Sequence, residues 1–97
     1  MKYAESIIET LRNLKPELNR RFNVNSIGLF GSVIRDDFSP SRSDIDIIVD
    51  FSKPIGIEFV DLAEYLESKF NRKVDLVSKR GIKPKYFQHI QSEVVYV

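Results

Sequence analysis

Apolar residues recur along the chain with a helical period in several segments, and this pattern predicts amphipathic helices. The first helix covers residues 2–14, where one apolar stripe consists of Tyr3, Ile7, Ile8, Leu11 and Leu14. Proline is unfavourable inside a helix but suits its first turn, so Pro16 predicts a separate short helix over 16–22. A further helix is expected up to Phe70 with its apolar face starting at Ile57, and a last one opens at Lys83-Pro84-Lys85.

Three apolar runs of strand length lie between these helices. They cover residues 26–30, 44–51 and 73–77, and a short helix over 32–37 is expected to follow the first of them. The run Val94-Val95-Tyr96-Val97 could add a strand or meet another chain, because short exposed apolar segments invite pairing. A chain of 97 residues with this order of elements is expected to form a single domain over 1–97.

Asp44 and Asp46 open the second strand, although aspartate is depleted in strands and is rarely buried without a partner or a metal. Alternate residues of a strand share a face, so both carboxylates point the same way with Cα atoms roughly 6.5–7 Å apart. Two such groups can converge on a metal ion, although Asp-x-Asp also occurs at solvated strand ends. Asp50 shares this face but lies about 13 Å beyond Asp46, so we leave it out of the site.

Gly31-Ser32 follows the first strand and predicts an anion-binding turn. Glycine allows the backbone to approach a ligand closely, and serine is a favoured residue at a helix N-cap. If Ser32 opens the helix through Arg35, its first turn presents free N–H groups to an anion such as phosphate. Followed by two carboxylates, this turn suggests a nucleoside triphosphate bound with Mg²⁺.

Asp75 is a third aspartate inside an apolar strand. If that strand lies beside the second one, Asp75 joins Asp44 and Asp46 on one face, where it could hold a second ion or accept a proton from an attacking hydroxyl. The alternative is a solvent-exposed aspartate on an edge strand. Nearby, Lys79, Arg80, Lys83 and Lys85 form a basic cluster that could meet phosphate or an acidic partner, or simply begin a solvated helix.

Composition narrows the class of protein further. The net charge of +1 gives no sign of a nucleic-acid-binding tail, and no direct contact with nucleic acid is expected. The absence of cysteine excludes disulfides and thiolate zinc sites, and one histidine, His89, cannot build a histidine-based metal site. Without an apolar run of about 20 residues or a signal peptide, we expect no membrane association and a cytoplasmic location.

Three motifs carry a family resemblance: Phe30-Gly31-Ser32, Ser43-Asp44-Ile45-Asp46 and Val74-Asp75-Leu76-Val77. Together they resemble the nucleotidyltransferase superfamily that includes DNA polymerase β and the aminoglycoside nucleotidyltransferases. The chain is most similar to the minimal nucleotidyltransferase (MNT) branch, the antitoxin half of HEPN–MNT toxin–antitoxin modules. The resemblance implies an α/β (α+β) fold in which helices flank a small mixed β-sheet.

The same resemblance implies site roles and a partner. Gly31, Ser32 and Arg35 would bind the triphosphate of ATP, while Asp44, Asp46 and Asp75 would be the catalytic carboxylates that hold Mg²⁺, with two ions expected. The antitoxin branch transfers AMP to a tyrosine of a HEPN ribonuclease, so the implied partner is a cognate HEPN toxin in a hetero-oligomer. The branch usually has a glycine directly after the arginine, whereas this chain has Asp36, which adds negative charge near that phosphate.

Two other functions remain open at this stage. The chain could neutralise a toxin by binding alone, although clustered carboxylates destabilise a fold that has no cation to compensate them. It could also modify an antibiotic, but the sequence offers no second domain to form a drug pocket.

Overall fold

One mixed sheet forms the centre of the molecule. In the computed structural model, which describes residues 2–35, 38–39 and 43–97, its strands are β1 (Val24–Phe30), β2 (Ile45–Phe51), β3 (Val74–Ser78) and β4 (Val95–Tyr96). Their spatial order is β3-β2-β1-β4. β1 runs antiparallel to both β2 and β4, whereas β2 and β3 are parallel. This arrangement confirms the expected mixed sheet flanked by helices.

Four helices are present in the described part of the chain: α1 (Lys2–Phe22), α2 (Ser32–Arg35), α3 (Glu58–Phe70) and α4 (Pro84–Ile90). The predicted break before Pro16 is wrong, because α1 continues through it as one helix. Pro16 and Arg12 are both exposed, so water can hydrate the Arg12 carbonyl that the proline leaves without an N–H donor. Leu11 and Leu18 are fully buried on either side of the proline and hold both halves of the helix against the core.

The core lies on one face of the sheet, beneath α1 and α3. β2 contributes alternate residues to it, namely Ile45, Ile47, Val49 and Phe51, as its sequence pattern predicts. Leu62 and Leu66 of α3 are fully buried against them. Asp46 and Asp50 therefore point to the opposite face, away from this core. None of the helices in the described residues combines the length and apolar character of a membrane span.

The apolar run at 94–97 completes the sheet of this same chain. Its strand β4 pairs with β1 through Gly28 opposite Tyr96 and Leu29 opposite Val95. The pairing extends to Val97, whose N–H donates to the Ile27 carbonyl at 3.0 Å. Lys15 also donates to the Val97 carbonyl at 2.9 Å, which ties this segment to α1.

The close approach of β4 to β1 gives a first prediction. A Cβ at Gly28 would lie 2.9 Å from the Val95 carbonyl oxygen and 3.0 Å from a Val94 methyl group. We expect Gly28→Ala to lower the free energy of unfolding by about 1–3 kcal/mol, because β4 must move away. Urea unfolding measures the change.

Gly81→Ala is the matched control for this substitution. The nearest atom to a Cβ at Gly81 is 3.6 Å away, which is an ordinary van der Waals contact. Its free energy of unfolding should change by less than about 0.5 kcal/mol. Equal losses in the two variants would contradict the close packing of β4 on Gly28.

Candidate active site

The register of three strands brings the predicted site together at one end of the sheet. Phe30, the last residue of β1, is opposite Asp46 of β2, and Asp46 is in turn opposite Asp75 of β3. Asp44 lies directly before β2. The expectation that the strand of Asp75 lies beside that of Asp46 is therefore confirmed. The roles of these aspartates remain predictions.

Gly31 is needed at the turn after β1 because a side chain there would collide with Asp46. Its φ of +76° lies in the left-handed region, and a Cβ would overlap Oδ2 of Asp46 and approach its Cγ to 2.9 Å. The Gly31 carbonyl accepts hydrogen bonds from Ile34 at 3.0 Å and Arg35 at 3.1 Å. Gly31, rather than Ser32, is thus the N-cap of α2, which corrects the sequence interpretation.

Ser32 is the first residue of α2, as predicted, but the helix is short. It ends at Arg35, and the rest of the predicted segment, Asp36 and Asp37, lies outside the described residues. Val33 is almost fully buried and anchors α2 to the core. The N–H groups of Ser32 and Val33 lie in the first turn and have no acceptor within the helix. We call Gly31, Ser32 and Arg35 the anion cradle.

The electrostatics of Asp46 reflect its neighbours. Burial, the charges of Asp75 and Asp44, and a hydrogen bond with Asp75 raise the pKa of Asp46 from 3.8 to about 6, while Arg35 opposes the shift. The charges of Asp44, Asp75 and Arg35 therefore all act on Asp46. A carboxylate in such a negative environment favours either a proton or a cation.

Oxygen ligands of this kind are those that Mg²⁺ prefers, so the donor chemistry fits that ion. Across residues 2–35, 38–39 and 43–97, however, no three His, Cys, Asp or Glu side chains form a group that could hold a metal as they stand. Joint coordination by Asp44, Asp46 and Asp75 therefore requires their side chains to rotate.

Glu93 is a site residue that the sequence pattern did not indicate. Its Oε1 accepts a hydrogen bond from the Gly31 N–H at 3.0 Å and another from the Arg35 guanidinium at 3.2 Å. The only local signal is a carboxylate in the polar segment just before the last apolar run. Its proximity to the cradle follows from the pairing of β4 with β1, which spacing in sequence does not reveal.

Other charged residues lie outside the anion cradle and the cluster of three aspartates. Asp50 pairs with Arg80 at 3.0 Å, which agrees with leaving Asp50 out of the site. Lys79 of the predicted basic cluster lies over the rings of Phe87 and Tyr96, at 5.7 Å and 5.4 Å from their centroids. Two of the four cations in that cluster therefore make contacts within the fold.

Comparison with known proteins identifies the family. Residues 11–97 match the nucleotidyltransferase domain. The chain belongs to this family. It is also 43% identical to the protein adenylyltransferase MntA of Thermococcus cleftensis, over all of this chain and 98% of that protein.

Solved structures show the same nucleotidyltransferase fold. A toxin–antitoxin structure with AMP-PNP matches with a TM-score of 0.72 and 29% identity, covering 87% of this chain and 69% of the other. The structure of the tri-AMPylated HEPN toxin of Shewanella oneidensis in complex with MNT antitoxin matches with a TM-score of 0.61 and 28% identity. That match covers 96% of this chain and 66% of the other. In both cases the protein that this nucleotidyltransferase resembles is part of a toxin–antitoxin structure.

The raised pKa of Asp46 predicts how stability depends on pH without a divalent cation. Between pH 3.8 and about 6 the unfolded chain loses its Asp46 proton while the folded protein keeps it, so the free energy of unfolding falls. We expect Asp46→Asn to remove this fall. Above pH 6 the variant should be more stable than wild type by on the order of 1 kcal/mol, a value reduced for solvent screening.

Urea unfolding in EDTA between pH 4 and 8 measures this difference. Asp50→Asn is the control, since it removes a carboxylate that is paired with Arg80 rather than crowded by other carboxylates. A gain in stability for Asp50→Asn equal to that for Asp46→Asn would contradict this explanation.

Proposed function

We propose that this nucleotidyltransferase transfers AMP from ATP to a hydroxyl group, preferably of tyrosine, on a cognate HEPN toxin and thereby silences that toxin. The hydroxyl oxygen bonds to the α-phosphorus, the bond from that phosphorus to the bridging oxygen breaks, and pyrophosphate leaves. Residues 1–97 act as a single domain in this proposal. The cytoplasm, expected from the sequence, is its proposed location.

The observation that carries the proposal is the alignment of Phe30, Asp46 and Asp75 across three neighbouring strands, with the Gly31 turn directly after Phe30. A turn with backbone donors lies directly beside a cluster of carboxylates. Arg35 connects the two, because it ends the helix that follows the turn and its charge acts on Asp46. Phosphoryl transfer requires this combination: donors for the phosphate oxygens and carboxylates for cations or protons. We assign triphosphate binding to Gly31, Ser32 and Arg35.

We assign Asp44, Asp46 and Asp75 as catalytic residues and Mg²⁺ ligands. The support is the negative environment that raises the pKa of Asp46, since a divalent cation would relieve it. When bound, two Mg²⁺ ions would supply charge neutralisation at the triphosphate and polarisation of the reacting oxygens. In this assignment Asp75 also accepts the proton of the attacking hydroxyl.

The partner is proposed from the relatives. A structure similar to this chain contains a HEPN toxin carrying three AMP groups with its MNT antitoxin, and another contains AMP-PNP. The 43% identical Thermococcus protein is named a protein adenylyltransferase. These matches favour a protein acceptor over a small antibiotic.

The proposal predicts covalent modification of the toxin. When the cognate HEPN protein is co-expressed with this chain, the intact mass of the HEPN protein should increase by one or more AMP groups. The increment should be absent with Asp44→Asn/Asp46→Asn, because loss of both carboxylates removes the proposed metal ligands. Mass spectrometry of the purified toxin measures the result.

The matched control is Asp50→Asn/Asp61→Asn, which removes the same charge from two aspartates outside the site and should keep the increment. A stable complex with no increment from wild type would show that the chain silences the toxin by binding alone. An increment unaffected by Asp44→Asn/Asp46→Asn would show that these carboxylates are not catalytic.

Nucleotide binding should also raise the thermal midpoint of the isolated chain. A ligand at about 100 times its dissociation constant stabilises the fold by about 2.7 kcal/mol, which corresponds to roughly 13 °C for a domain of this size. We expect such a shift for wild type and Asp50→Asn/Asp61→Asn with Mg²⁺ and ATP. A much smaller shift is expected for Asp44→Asn/Asp46→Asn.

Differential scanning fluorimetry with Mg²⁺ alone, ATP alone and both together separates the contributions of metal and nucleotide. A wild-type midpoint unchanged at saturating Mg²⁺ and ATP would contradict nucleotide binding by the free chain.

A further inference from the structure

The carboxylate of Glu93 already uses two donors of the anion cradle. Oε1 accepts from the Gly31 N–H at 3.0 Å and from the Arg35 guanidinium at 3.2 Å, and Oε2 lies 3.4 Å from the same guanidinium nitrogen. A backbone amide and a guanidinium converging on one anion is the chemistry that recognises a phosphate oxygen. The cradle therefore binds an anion in this structure, and that anion belongs to the chain itself.

The contact with Gly31 excludes a second anion from the same amide. A backbone N–H has one hydrogen, so a phosphate oxygen can accept it only after Glu93 releases it. Gly31 is buried, and the Glu93 side chain is only 23% exposed, whereas that of Arg35 is 53% exposed. The amide end of the contact is thus better shielded from water than the Arg35 end.

Backbone structure fixes Glu93 in this position. Gly28 is opposite Tyr96 and Leu29 is opposite Val95, so continuing this antiparallel register places Glu93 opposite Gly31. On its other side, the Glu93 N–H donates to the Ile90 carbonyl at the end of α4, at 2.9 Å. The carboxylate is consequently delivered to the cradle by the pairing of β4 with β1.

We infer that Glu93 competes with the nucleotide's phosphates for Gly31 and Arg35 and so lowers the affinity of the protein for the triphosphate. This inference rests on the proposed function, because it assigns the cradle to ATP. The nucleotide binds to the fraction of molecules in which Glu93 has turned away, and the observed dissociation constant is the intrinsic one divided by that fraction.

The opposite role for Glu93 would be to hold the cradle in shape for the phosphate. The two roles predict opposite signs, since removal of a competitor strengthens binding and removal of a support weakens it. Glu93→Gln distinguishes them because glutamine keeps the length of the side chain but not its charge. Glu93→Asp keeps the charge nearby but shortens the side chain, so that it no longer reaches the Gly31 amide.

The experiment is isothermal titration calorimetry with inorganic triphosphate, AMP-PNP and adenosine, each in the presence of Mg²⁺. We expect Glu93→Gln and Glu93→Asp to bind triphosphate and AMP-PNP about two- to fivefold more tightly than wild type, the range of a partly exposed charged contact. Adenosine, which has no phosphate, should bind all variants equally. Asp50→Asn is the control, because its carboxylate is also paired with an arginine, Arg80 at 3.0 Å, but outside the site.

Three results would overturn the inference. Unchanged or weaker triphosphate binding by Glu93→Gln would show that Glu93 does not compete for the cradle, and weaker binding would make it a support. Tighter binding by Glu93→Gln with wild-type affinity for Glu93→Asp would indicate repulsion at a distance rather than occupation of the amide. Absence of triphosphate and AMP-PNP binding in every variant would remove both this inference and the proposed nucleotide site.

Failure of the proposed reaction gives a different result. Suppose that both Glu93 variants bind triphosphate more tightly, but that wild type transfers no AMP to the HEPN protein. This result would support competition by Glu93 and contradict the proposed adenylyl transfer. Thermal midpoints of all variants, measured without ligand, confirm that each is folded before its affinity is compared.

Discussion

The space beside Gly31 is the constraint on which the site depends. Asp46 fills the volume that a side chain at residue 31 would occupy, and the φ of +76° there turns the chain from β1 into α2. The same turn lies at the end of the sheet where the carboxylates are found. A larger residue would have to displace Asp46 and, at this positive φ, would also strain the backbone. Gly31 therefore allows the turn to form, supplies an N–H donor to the anion cradle and leaves room for the Asp46 carboxylate.

The site places like charges on a strand whose other face stabilises the fold. Ile45, Ile47 and Val49 bury their side chains between the sheet and its helices, while Asp46 between them has its pKa raised to about 6 by burial and by neighbouring carboxylates. Apolar burial on one face thus holds charged groups together on the other, where they repel one another. Such local destabilisation is typical of functional sites and is tolerated because the surrounding structure overdetermines it.

Much of this arrangement could be predicted from local sequence. The alternation along β2 identified its core-facing residues and placed Asp46 on the opposite face, because strand periodicity is a local property. It did not indicate that Ile48, on the same face as Asp46, is also fully buried. The position of Asp75 beside Asp46 required only that two strands be neighbours. Pro16 misled the interpretation because local propensity favours a break there, whereas the buried Leu11 and Leu18 keep α1 continuous. Glu93 could not be found in this way, since 62 positions separate it from Gly31 and only the register of β4 brings them together.

The attachment of Glu93 to β4 joins two regions that would otherwise respond independently. Any macromolecule that binds the protein with β4 displaced from β1 would draw the carboxylate away from the cradle, and nucleotide would then bind more tightly. Thermodynamic linkage makes this effect reciprocal: nucleotide would strengthen the binding of that macromolecule by the same factor. A strand of two residues, Val95–Tyr96, is a suitable element for such coupling because few hydrogen bonds must break for it to move.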